Sequence, residues 1–296
     1  MNARFVIAGL FLGSVVSAHA IEVQGHRGAR ARRPENTLSA FRYAYQIGVD
    51  VIELDLAVTK DDRIVVTHDL TINPKICLGP TGARLRMPTP AIRSLTLEEI
   101  RRFDCGSLRN PDFPNQVAAP GEKMPTFEEF LDFFAQAVRE NRVPNLRMNV
   151  ETKTSPKVPG LSTDPESFVR LVLSAVRRHG LEDRLILQSF DKRTLQAARK
   201  LYPGVVISAL DDRPWRNPLS YLSDIHPEFY SPGIYWLGLL TSKPAVQLMN
   251  ALGIGVVPYT ANTPKDWDRL IRNGVRGIIT DDPYGLIEHL KQRGLR

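Results

Sequence analysis

Short apolar segments alternate with amphipathic segments along most of the chain, starting at Val23. Strands of a parallel sheet are covered on both faces and are apolar throughout, whereas the helices that connect them are apolar on one side only. The alternation therefore predicts an α/β architecture with parallel strands. Eight segments have the strand pattern: Val23–His26, Val51–Leu56, Arg147–Glu151, Leu185–Phe190, Val205–Leu210, Glu228–Ser231, Gly255–Tyr259 and Gly277–Thr280.

The intervening segments have helical periodicity. Gly48, Gly180, Gly253 and Gly274 follow four of them, where a helix commonly ends in a left-handed residue. Eight strand–helix units predict a TIM (β/α)8 barrel. An open doubly wound sheet is the alternative, but no G-x-G-x-x-G turn follows the first strand. The helical segments include Thr37–Ile47, Thr126–Glu140, Pro165–His179, Lys192–Leu201, Lys243–Leu252, Pro264–Asn273 and Tyr284–Gln292.

One strand-like run, Ile64–His68, does not fit this count. It follows the second predicted strand across a short KDDR turn, which is too short for a parallel connection. We therefore predict an antiparallel hairpin over Thr59–Thr67 above the carboxyl ends of the barrel strands. Counting from the turn places His68 roughly opposite Asp55, and a one-residue slip would turn the His68 side chain away.

Residues 70–125 form a long segment that is rich in Pro, Gly and Arg, with one helix signal at Leu97–Phe103. Loops of this length commonly act as functional lids. We expect an inserted segment at the mouth of the barrel rather than a second domain. Cys77 and Cys105 lie within it, and the sequence leaves open whether they form a disulfide or remain two separate thiols.

The first twenty residues have a different character. Arg4 precedes the uncharged run Phe5–Val16, and Ser17-Ala18-His19-Ala20 resembles a signal-peptidase site. We predict a signal peptide over residues 1–20 and a single exported domain over residues 21–296, either periplasmic or secreted. The apolar run is about a dozen residues, short of the ~20 that span a bilayer. No other apolar run is long enough to span a bilayer, so stable membrane insertion is not expected.

Composition and charge narrow the partners. The chain is 43% hydrophobic and 24% charged, which is typical of a globular protein. A formal net charge of +7 suits small anionic substrates such as phosphate esters. It would also suit nucleic acid, but no helix carries a basic stripe with interleaved aromatic residues, and export argues against that partner.

Three carboxylates stand out on apolar strands. Glu53 and Asp55 are two residues apart in VIELDL, so their side chains share a face. Glu151 ends the strand RMNVET, with Lys153 two residues further on. Apolar strands tolerate such charges only when they are paired or bound to a cation. Three carboxylates suit Ca²⁺ or Mg²⁺ better than Zn²⁺, although a salt-bridged pair of rim carboxylates is the structural alternative for Glu53 and Asp55.

Two histidines complete the pattern. His26 ends the first strand and His68 ends the hairpin, so both lie beside the carboxylate strands. Phosphodiester cleavage needs a base for the attacking oxygen and an acid for the leaving oxygen, and two histidines can divide these roles. Arg27 adds a forked donor for phosphoryl oxygens, and Lys153 adds a positive charge. These residues predict a metal-dependent, phosphodiester-cleaving site.

The chain resembles the glycerophosphodiester phosphodiesterase family, and the matching motifs span nearly all of the mature chain in the family's order. They are HRGA (26–29), PENT (34–37), ELD (53–55), THD (67–69), MPTFEEFL (124–131), NVETK (149–153), LQSFD (187–191) and ITDDP (279–283). One departure concerns the W-T-x-N motif that the family often carries in the penultimate strand. Here Tyr259 stands at the Trp position, so we expect it to contact the substrate with a different aromatic surface.

The resemblance implies a TIM barrel with an inserted segment after the hairpin. It implies hydrolysis of a glycerophosphodiester to glycerol 3-phosphate and an alcohol, by direct water attack or through a cyclic phosphate. The implied roles are metal binding by Glu53, Asp55 and Glu151, acid–base catalysis by His26 and His68, and phosphate contacts by Arg27 and Lys153. Which histidine is the base, which metal is bound, the alcohol moiety and the oligomeric state stay open.

Two rival functions remain. One is a lysophospholipase D-like or phospholipase C-like enzyme acting on lysophospholipids, which would need a large apolar mouth, for example near Tyr235-Trp236-Leu237. The other is an inactive exported barrel that only binds phosphodiesters. That protein would lack a metal ligand or a catalytic histidine, and this chain has all three predicted metal ligands and both histidines.

Overall fold

The computed structural model describes residues 20–213, 215–234 and 236–296. The predicted signal peptide lies outside the described residues except for Ala20, and so do Tyr235 and the side chains of Trp236 and Leu237. Among the described residues, no helix combines the length and apolar character needed to cross a bilayer.

The strands form the predicted barrel. Eight of them are parallel and follow the order β8-β7-β6-β5-β4-β2-β1-β9, while β3 pairs only with β2. Backbone hydrogen bonds from Arg276 N to Val256 O (2.8 Å) and from Ile279 N to Pro258 O (3.0 Å) link the two ends of this order. The strands are β1 Glu22–Gly25, β2 Val51–Val58, β3 Ile64–Val66, β4 Arg147–Thr152, β5 Leu185–Ser189, β6 Val206–Asp211, β7 Phe229–Pro232, β8 Gly255–Val256 and β9 Gly277–Thr280.

Helices cover the outside of the barrel. Side chains cap the N-termini of most of them, as in the capping box formed by Thr126 and Glu129, which satisfies amide groups that the helix itself cannot pair. A short helix after β6 was not predicted. The helices are α1 Leu38–Ile47, α2 Leu97–Ile100, α3 Phe127–Glu140, α4 Pro165–Arg178, α5 Lys192–Leu201, α6 Pro218–Leu222, α7 Lys243–Ala251, α8 Pro264–Asn273 and α9 Pro283–Gln292.

The main core lies between the barrel strands and the helices. Phe41 on α1 meets Phe130 on α3 with 4.9 Å between ring centroids, and Phe134 packs beside them. All three side chains are fully buried, and each such burial contributes roughly 1.5–3 kcal/mol. This layer fixes where the strands end, and therefore where the residues at their carboxyl ends lie.

The strand β8 is shorter than predicted. The sequence pattern extended it to Tyr259, but regular pairing covers only Gly255 and Val256. Pro258 lacks the amide hydrogen that a ladder requires. Residues 257–261 still follow the barrel wall, since Tyr259 N donates to Pro232 O at 3.1 Å and Ala261 N donates to Ile279 O at 3.1 Å.

The hairpin of β2 and β3 is confirmed, with a register one residue from the predicted one. Leu56 pairs with Val66, and Thr67 N donates to Asp55 O at 2.9 Å. Thr67 therefore lies opposite Asp55, where we expected His68. Because β3 ends at Val66 and the chain bends at His68, the histidine is not bound to the alternation of the strand and still reaches the carboxylates.

The inserted segment has a small core of its own. Ile72, Ile92, Ile100 and Phe103 pack against Ala57 and Val65 of the hairpin, together with the two cysteines. Cys77 and Cys105 form a disulfide, which decides between the two alternatives left open by the sequence. The segment also attaches to the loop after β1, because Gln116 Nε2 donates to Arg30 O at 2.7 Å.

Candidate active site

The three predicted carboxylates meet at the carboxyl ends of β2 and β4. Asp55 pairs with Glu151 across the two strands, and one carboxylate oxygen from each of Glu53, Asp55 and Glu151 lies within 4.8 Å of the others. All three are buried. The arrangement follows directly from parallel pairing, which aligns residues at equivalent heights on neighbouring strands.

Burial and mutual repulsion set the charges of this triad. Burial raises the pKa of Glu53 well above its ordinary value, and the adjacent Asp55 and Glu151 add to that rise. Burial alone would raise the pKa of Asp55. Nearby positive charges, of which Lys153 has the largest effect, outweigh burial and hold this pKa well below its ordinary value. Burial raises the pKa of Glu151 against the opposing charge of Lys153.

A hard divalent cation fits these donors. Asp55 Oδ1 is buried and accepts no hydrogen bond from the described residues, although Lys153 Nζ lies 3.3 Å away. Three carboxylates at this spacing supply the oxygen ligands that Ca²⁺ and Mg²⁺ prefer. The triad is therefore able to hold such an ion.

Glu53 is held from both sides. Its Oε2 accepts from Arg27 N at 2.7 Å, and its Oε1 accepts from Gln188 Nε2 at 2.9 Å. Asn149 donates in turn to Gln188 Oε1 and to Gln24 Oε1, both at 2.9 Å. This buried amide chain crosses the barrel interior and fixes the orientation of a candidate metal ligand, as outer hydrogen-bond partners commonly do.

His26 is oriented by Asp281. His26 Nδ1 lies 2.5 Å from Asp281 Oδ1, so Nε2 is the nitrogen left for a substrate. Burial lowers the pKa of His26 to about 4, against the opposing effect of Asp281. Burial raises the pKa of Asp281, but His26 and Arg30 lower it to far below its ordinary value. A neutral imidazole thus donates its Nδ1 hydrogen to an ionised carboxylate at neutral pH.

His68 has a similar support on the opposite side. Its Nδ1 lies 2.8 Å from Asp69 Oδ1, and Asn73 Nδ2 donates to Asp69 Oδ2 at 2.6 Å. The His68 side chain remains 34% exposed, so it can meet a substrate entering from the mouth. Asn73 belongs to the inserted segment, which therefore contributes directly to the placement of this histidine.

The HRGA and PENT motifs build the basic side of the site. Arg27 and Gly28 have left-handed backbones, with φ of 51° and 85°, and a Cβ atom on Gly28 would lie 2.8 Å from the Ala40 backbone. Glu35 accepts from Arg27 at 2.5 Å. Asn36 donates to Asp55 Oδ2 at 2.9 Å. This tight turn is thus determined by glycine and by two polar residues of the second motif.

Lys153 and Arg27 keep their charge in the buried site. Burial lowers the pKa of Lys153, but Glu151, at 2.7 Å from its Nζ, and Asp55 raise it above the ordinary value. Burial also lowers the pKa of Arg27, but the charges of Glu35 and Asp55 outweigh burial and raise this pKa above its ordinary value. Arg27 Nε is buried and makes no hydrogen bond within the described residues. Both side chains therefore stay positively charged beside the carboxylates that hold them, with Arg27 Nε 3.4 Å from Asp55 Oδ2.

All eight sequence-predicted site residues come together. Six of them line one cavity of about 190 Å³, and Asp55 and Lys153 contact its walls through the ion pairs described above. Tyr259 lines the same cavity and packs edge-on against Phe190, with 5.8 Å between ring centroids. The six lining residues are His26, Arg27, Glu53, His68, Glu151 and Tyr259.

Several residues of the site were missed from the sequence. Asp281, Gln188 and Phe190 lie in or directly after β9 and β5, within the ITDDP and LQSFD motifs. The carboxyl ends of barrel strands are where such residues are expected. Placing every polar residue of those two motifs at the rim would have found Asp281 and Gln188, whereas an exposed Phe carries no such signal.

Together, the barrel and its site define a class of hydrolase that acts on phosphate esters with acid–base groups placed around a carboxylate cluster. The model of the glycerophosphoryl diester phosphodiesterase family matches residues 26–284. The chain belongs to this family, which makes it a phosphodiesterase.

Relatives agree with this assignment. A glycerophosphodiester phosphodiesterase of Caldanaerobacter subterraneus is 29% identical over 276 residues, covering 92% of this chain and 98% of the relative. A Silicibacter pomeroyi structure, provisionally described as a glycerophosphoryl diester phosphodiesterase, has 28% identity and a TM-score of 0.84, covering 93% of this chain and 95% of that chain. An Oleispira antarctica phosphodiesterase, solved with sn-glycerol-3-phosphate, shares the fold at 20% identity and a TM-score of 0.74, covering 91% and 96%.

Proposed function

We propose that this phosphodiesterase hydrolyses glycerophosphodiesters to glycerol 3-phosphate and an alcohol. The observation that carries the proposal is the convergence on one small cavity of three carboxylates, two carboxylate-supported histidines and two buried cations. The 190 Å³ of that cavity suits a phosphoglycerol group.

Glu53, Asp55 and Glu151 would hold a divalent cation, either Ca²⁺ or Mg²⁺. When bound, the ion supplies positive charge to a non-bridging phosphoryl oxygen and so stabilises the charge that develops in the transition state. Arg27 and Lys153 contribute donors to the remaining phosphoryl oxygens. Their placement by Glu35 and Glu151 fixes these donors before the substrate arrives, which avoids reorganisation during the reaction.

His26 acts as the general base. Its pKa of about 4 keeps the imidazole neutral, and Asp281 holds the tautomer that leaves Nε2 free to accept a proton. The attacking oxygen belongs either to water or to a hydroxyl group of the substrate, and His26 serves both routes. Asp281 then stabilises the imidazolium that forms.

His68 acts as the general acid that protonates the leaving alcohol. It lines both the small cavity and the wider mouth, so it lies on the side where an alcohol departs. Asp69 Oδ1, 2.8 Å from Nδ1, orients its ring. Proton transfer of this kind typically contributes a factor of about 10²–10⁴ to the rate.

Residues 1–20 act as a signal peptide and residues 21–296 as one exported domain. The charge and apolar pattern of the N-terminus supports this proposal. The disulfide between Cys77 and Cys105 also supports it, because structural disulfides persist in oxidising compartments.

The first experiment measures glycerol 3-phosphate release from glycerophosphocholine with Ca²⁺, with Mg²⁺ and with EDTA. We expect metal-dependent turnover that is lost in His26→Ala and Glu53→Gln but kept in His179→Ala, whose side chain pairs with Asp132 on the outer helices. Release of choline from lysophosphatidylcholine without glycerophosphocholine turnover would favour the lysophospholipase D-like alternative. Binding without any turnover would favour an inactive barrel.

A second experiment tests the acid–base assignment. An aryl leaving group of low pKa needs no protonation, so His68→Ala should retain most of its activity on glycerophospho-p-nitrophenol while losing activity on glycerophosphocholine. His26→Ala should lose activity on both substrates. The opposite pattern would exchange the two roles.

A further inference from the structure

A second, larger cavity opens directly beside the first. It has a volume of about 730 Å³ and shares His68, Glu151, Phe190 and Leu210 with the smaller one. From there it extends along the loops after β4, β5 and β6 toward Arg216 and Tyr221. We refer to it as the alcohol groove. A phosphodiester whose phosphate lies at the shared wall has one half in each cavity.

The sizes of the cavities decide which half goes where. Glycerol is small, and the 190 Å³ cavity accommodates it next to His26 and Tyr259. The 730 Å³ of the alcohol groove lies in the range of sites that take considerably larger groups. Since His68 reaches the groove side, this placement also puts the leaving oxygen next to the proposed general acid.

The alcohol groove presents positive charge. Lys157 is exposed on its wall and has no acidic partner within 4 Å among the described residues. Within the described part of the chain, the acidic group that the Arg213 side chain pairs with is Asp212, at a distant 3.9 Å from Nε. Arg216 lies 3.7 Å from the buried Asp211 and stacks over Tyr221, with its guanidinium carbon 4.2 Å from the ring centroid.

The carboxylates of the alcohol groove are largely occupied. Asp191 is buried and accepts two hydrogen bonds from the Arg193 side chain and one from Thr154. Asp211 is fully buried and accepts from Tyr230 and from the amide of Arg213. Two of the aspartates that line the groove are more exposed: Asp212 at 67% of its side chain, and Asp69 at 38%, although Asp69 is engaged by His68 and Asn73. A ligand therefore meets more cationic than anionic groups.

We infer that the alcohol groove binds the leaving alcohol and favours one that carries its own negative charge, such as a phosphorylated glycerol. This inference rests on the proposed function. Lys157, Arg213 and Arg216 pair with the second anion, while Phe190 and Tyr221 pack against the carbon skeleton. A cationic alcohol such as choline meets repulsion from the same three side chains.

The test compares kcat/KM for three glycerophosphodiesters whose alcohols are glycerol phosphate, glycerol and choline. On the wild-type protein we expect the anionic alcohol to be the best substrate and choline the poorest. Exposed ion pairs each contribute a modest binding free energy. Lys157→Gln or Arg216→Gln should therefore lower the ratio of kcat/KM for the anionic alcohol to that for the neutral one by roughly two- to fivefold. The double variant should lower it by about tenfold.

Arg276→Gln is the matched control. It removes the same charge at the opposite, amino-terminal end of the barrel, just before β9, and should leave the ratio unchanged. Lys157→Glu, at an exposed position, should reverse the preference toward choline and does not depend on a buried side chain. Thermal denaturation of each variant separates loss of folding from loss of selectivity.

The outcomes separate a failure of this inference from a failure of the proposed function. Hydrolysis of none of the three substrates would overturn the proposed function. Hydrolysis of all three with equal kcat/KM, or with choline preferred by the wild-type protein, would overturn the alcohol-groove inference alone. A ratio that falls equally in Arg276→Gln would attribute the preference to overall charge and would also overturn it.

Discussion

Asp281 binds one ring nitrogen of His26, Nδ1, and leaves Nε2 as the nitrogen that the proposed mechanism uses. Its carboxylate lies 2.5 Å from Nδ1 and is itself held by Arg30 Nε at 2.6 Å and by Asn262 Nδ2 at 2.7 Å. This support makes Asp281 a positioning residue, since its contact is with the histidine rather than with the substrate.

Asp281→Asn should therefore lower kcat by about 10²–10⁴-fold, because an amide can stabilise the wrong tautomer and cannot stabilise the imidazolium. Steady-state kinetics measure the loss, and ¹⁵N NMR of the His26 ring reports the tautomer. The neighbouring Asp282→Asn, which loses a surface pair with Arg32, is the control. A kcat within about threefold of wild type would contradict the positioning role.

The metal binding proposed for the carboxylate triad would compete with protonation of the same groups. Burial, followed by the neighbouring Asp55, raises the pKa of Glu53, and burial raises that of Glu151. A carboxyl group with a raised folded-state pKa stabilises the folded chain at low pH, and this contribution is lost as the pH rises through that pKa. A cation has to displace these protons when it binds.

The increase in Tm caused by Ca²⁺ or Mg²⁺ should consequently grow as the pH rises from the ordinary pKa of a glutamate, about 4.3, through the raised pKa values of Glu53 and Glu151. At a hundredfold excess over Kd, binding adds about 2.7 kcal/mol to the free energy of unfolding. Glu53→Gln should abolish the metal-dependent increase, whereas Glu288→Gln on α9 should retain it. A metal effect that is independent of pH, or that survives in Glu53→Gln, would show that the ion binds elsewhere.

At the scale of elements, the inserted segment is a structural part of the site. Its small core packs on the β2–β3 hairpin, and its Asn73 donates to Asp69 behind His68. Cys77 lies four residues after Asn73, and its amide donates to Asn73 O at 3.0 Å. The disulfide thus lies next to the hydrogen bonds that support His68.

Replacing both cysteines by Ala should lower the free energy of unfolding by about 3–4 kcal/mol, because the bond closes a loop with a sequence separation of 28 and so restricts the unfolded chain. Urea denaturation measures the change. A reducing agent should destabilise the wild-type protein by a similar amount and leave the double variant unaffected. Equal stability of the oxidised and reduced wild-type proteins would refute the contribution.

At the scale of the molecule, the formal charge is +7 for the full chain and 7 − 1 = +6 without Arg4 of the proposed signal peptide, which creates a field that attracts anionic phosphodiesters. Salt screens such fields over about 10 Å at 0.1 M. We expect kcat/KM for an anionic diester to fall as NaCl rises, with little change in kcat, because the field acts on encounter rather than on the chemical step. Stopped-flow or initial-rate measurements at constant metal concentration test this. A loss confined to kcat would contradict this prediction and would indicate that salt displaces the divalent ion from the site.

Local patterns predicted a large part of this protein. Period-two alternation placed Glu53 and Asp55 on one face, and strand-end positions placed His26 and Glu151 at one rim, because parallel strands align their carboxyl ends. These inferences need only spacing and direction. The hairpin was also predictable, but its predicted register was one residue off. His68 still reaches the carboxylates, because a bend at His68 rather than strand alternation sets the direction of that side chain.

The sequence by itself therefore determined the barrel, the inserted segment and the chemical groups at the strand ends. Only the tertiary structure decided their partners: His26 with Asp281, which is 255 residues away, and Glu53 with Gln188, which is 135 residues away. It also decided the pairing of the cysteines and the shape of the alcohol groove. The physical reason is that these contacts depend on barrel closure and loop packing, which bring together residues whose separation along the chain carries no periodic signal.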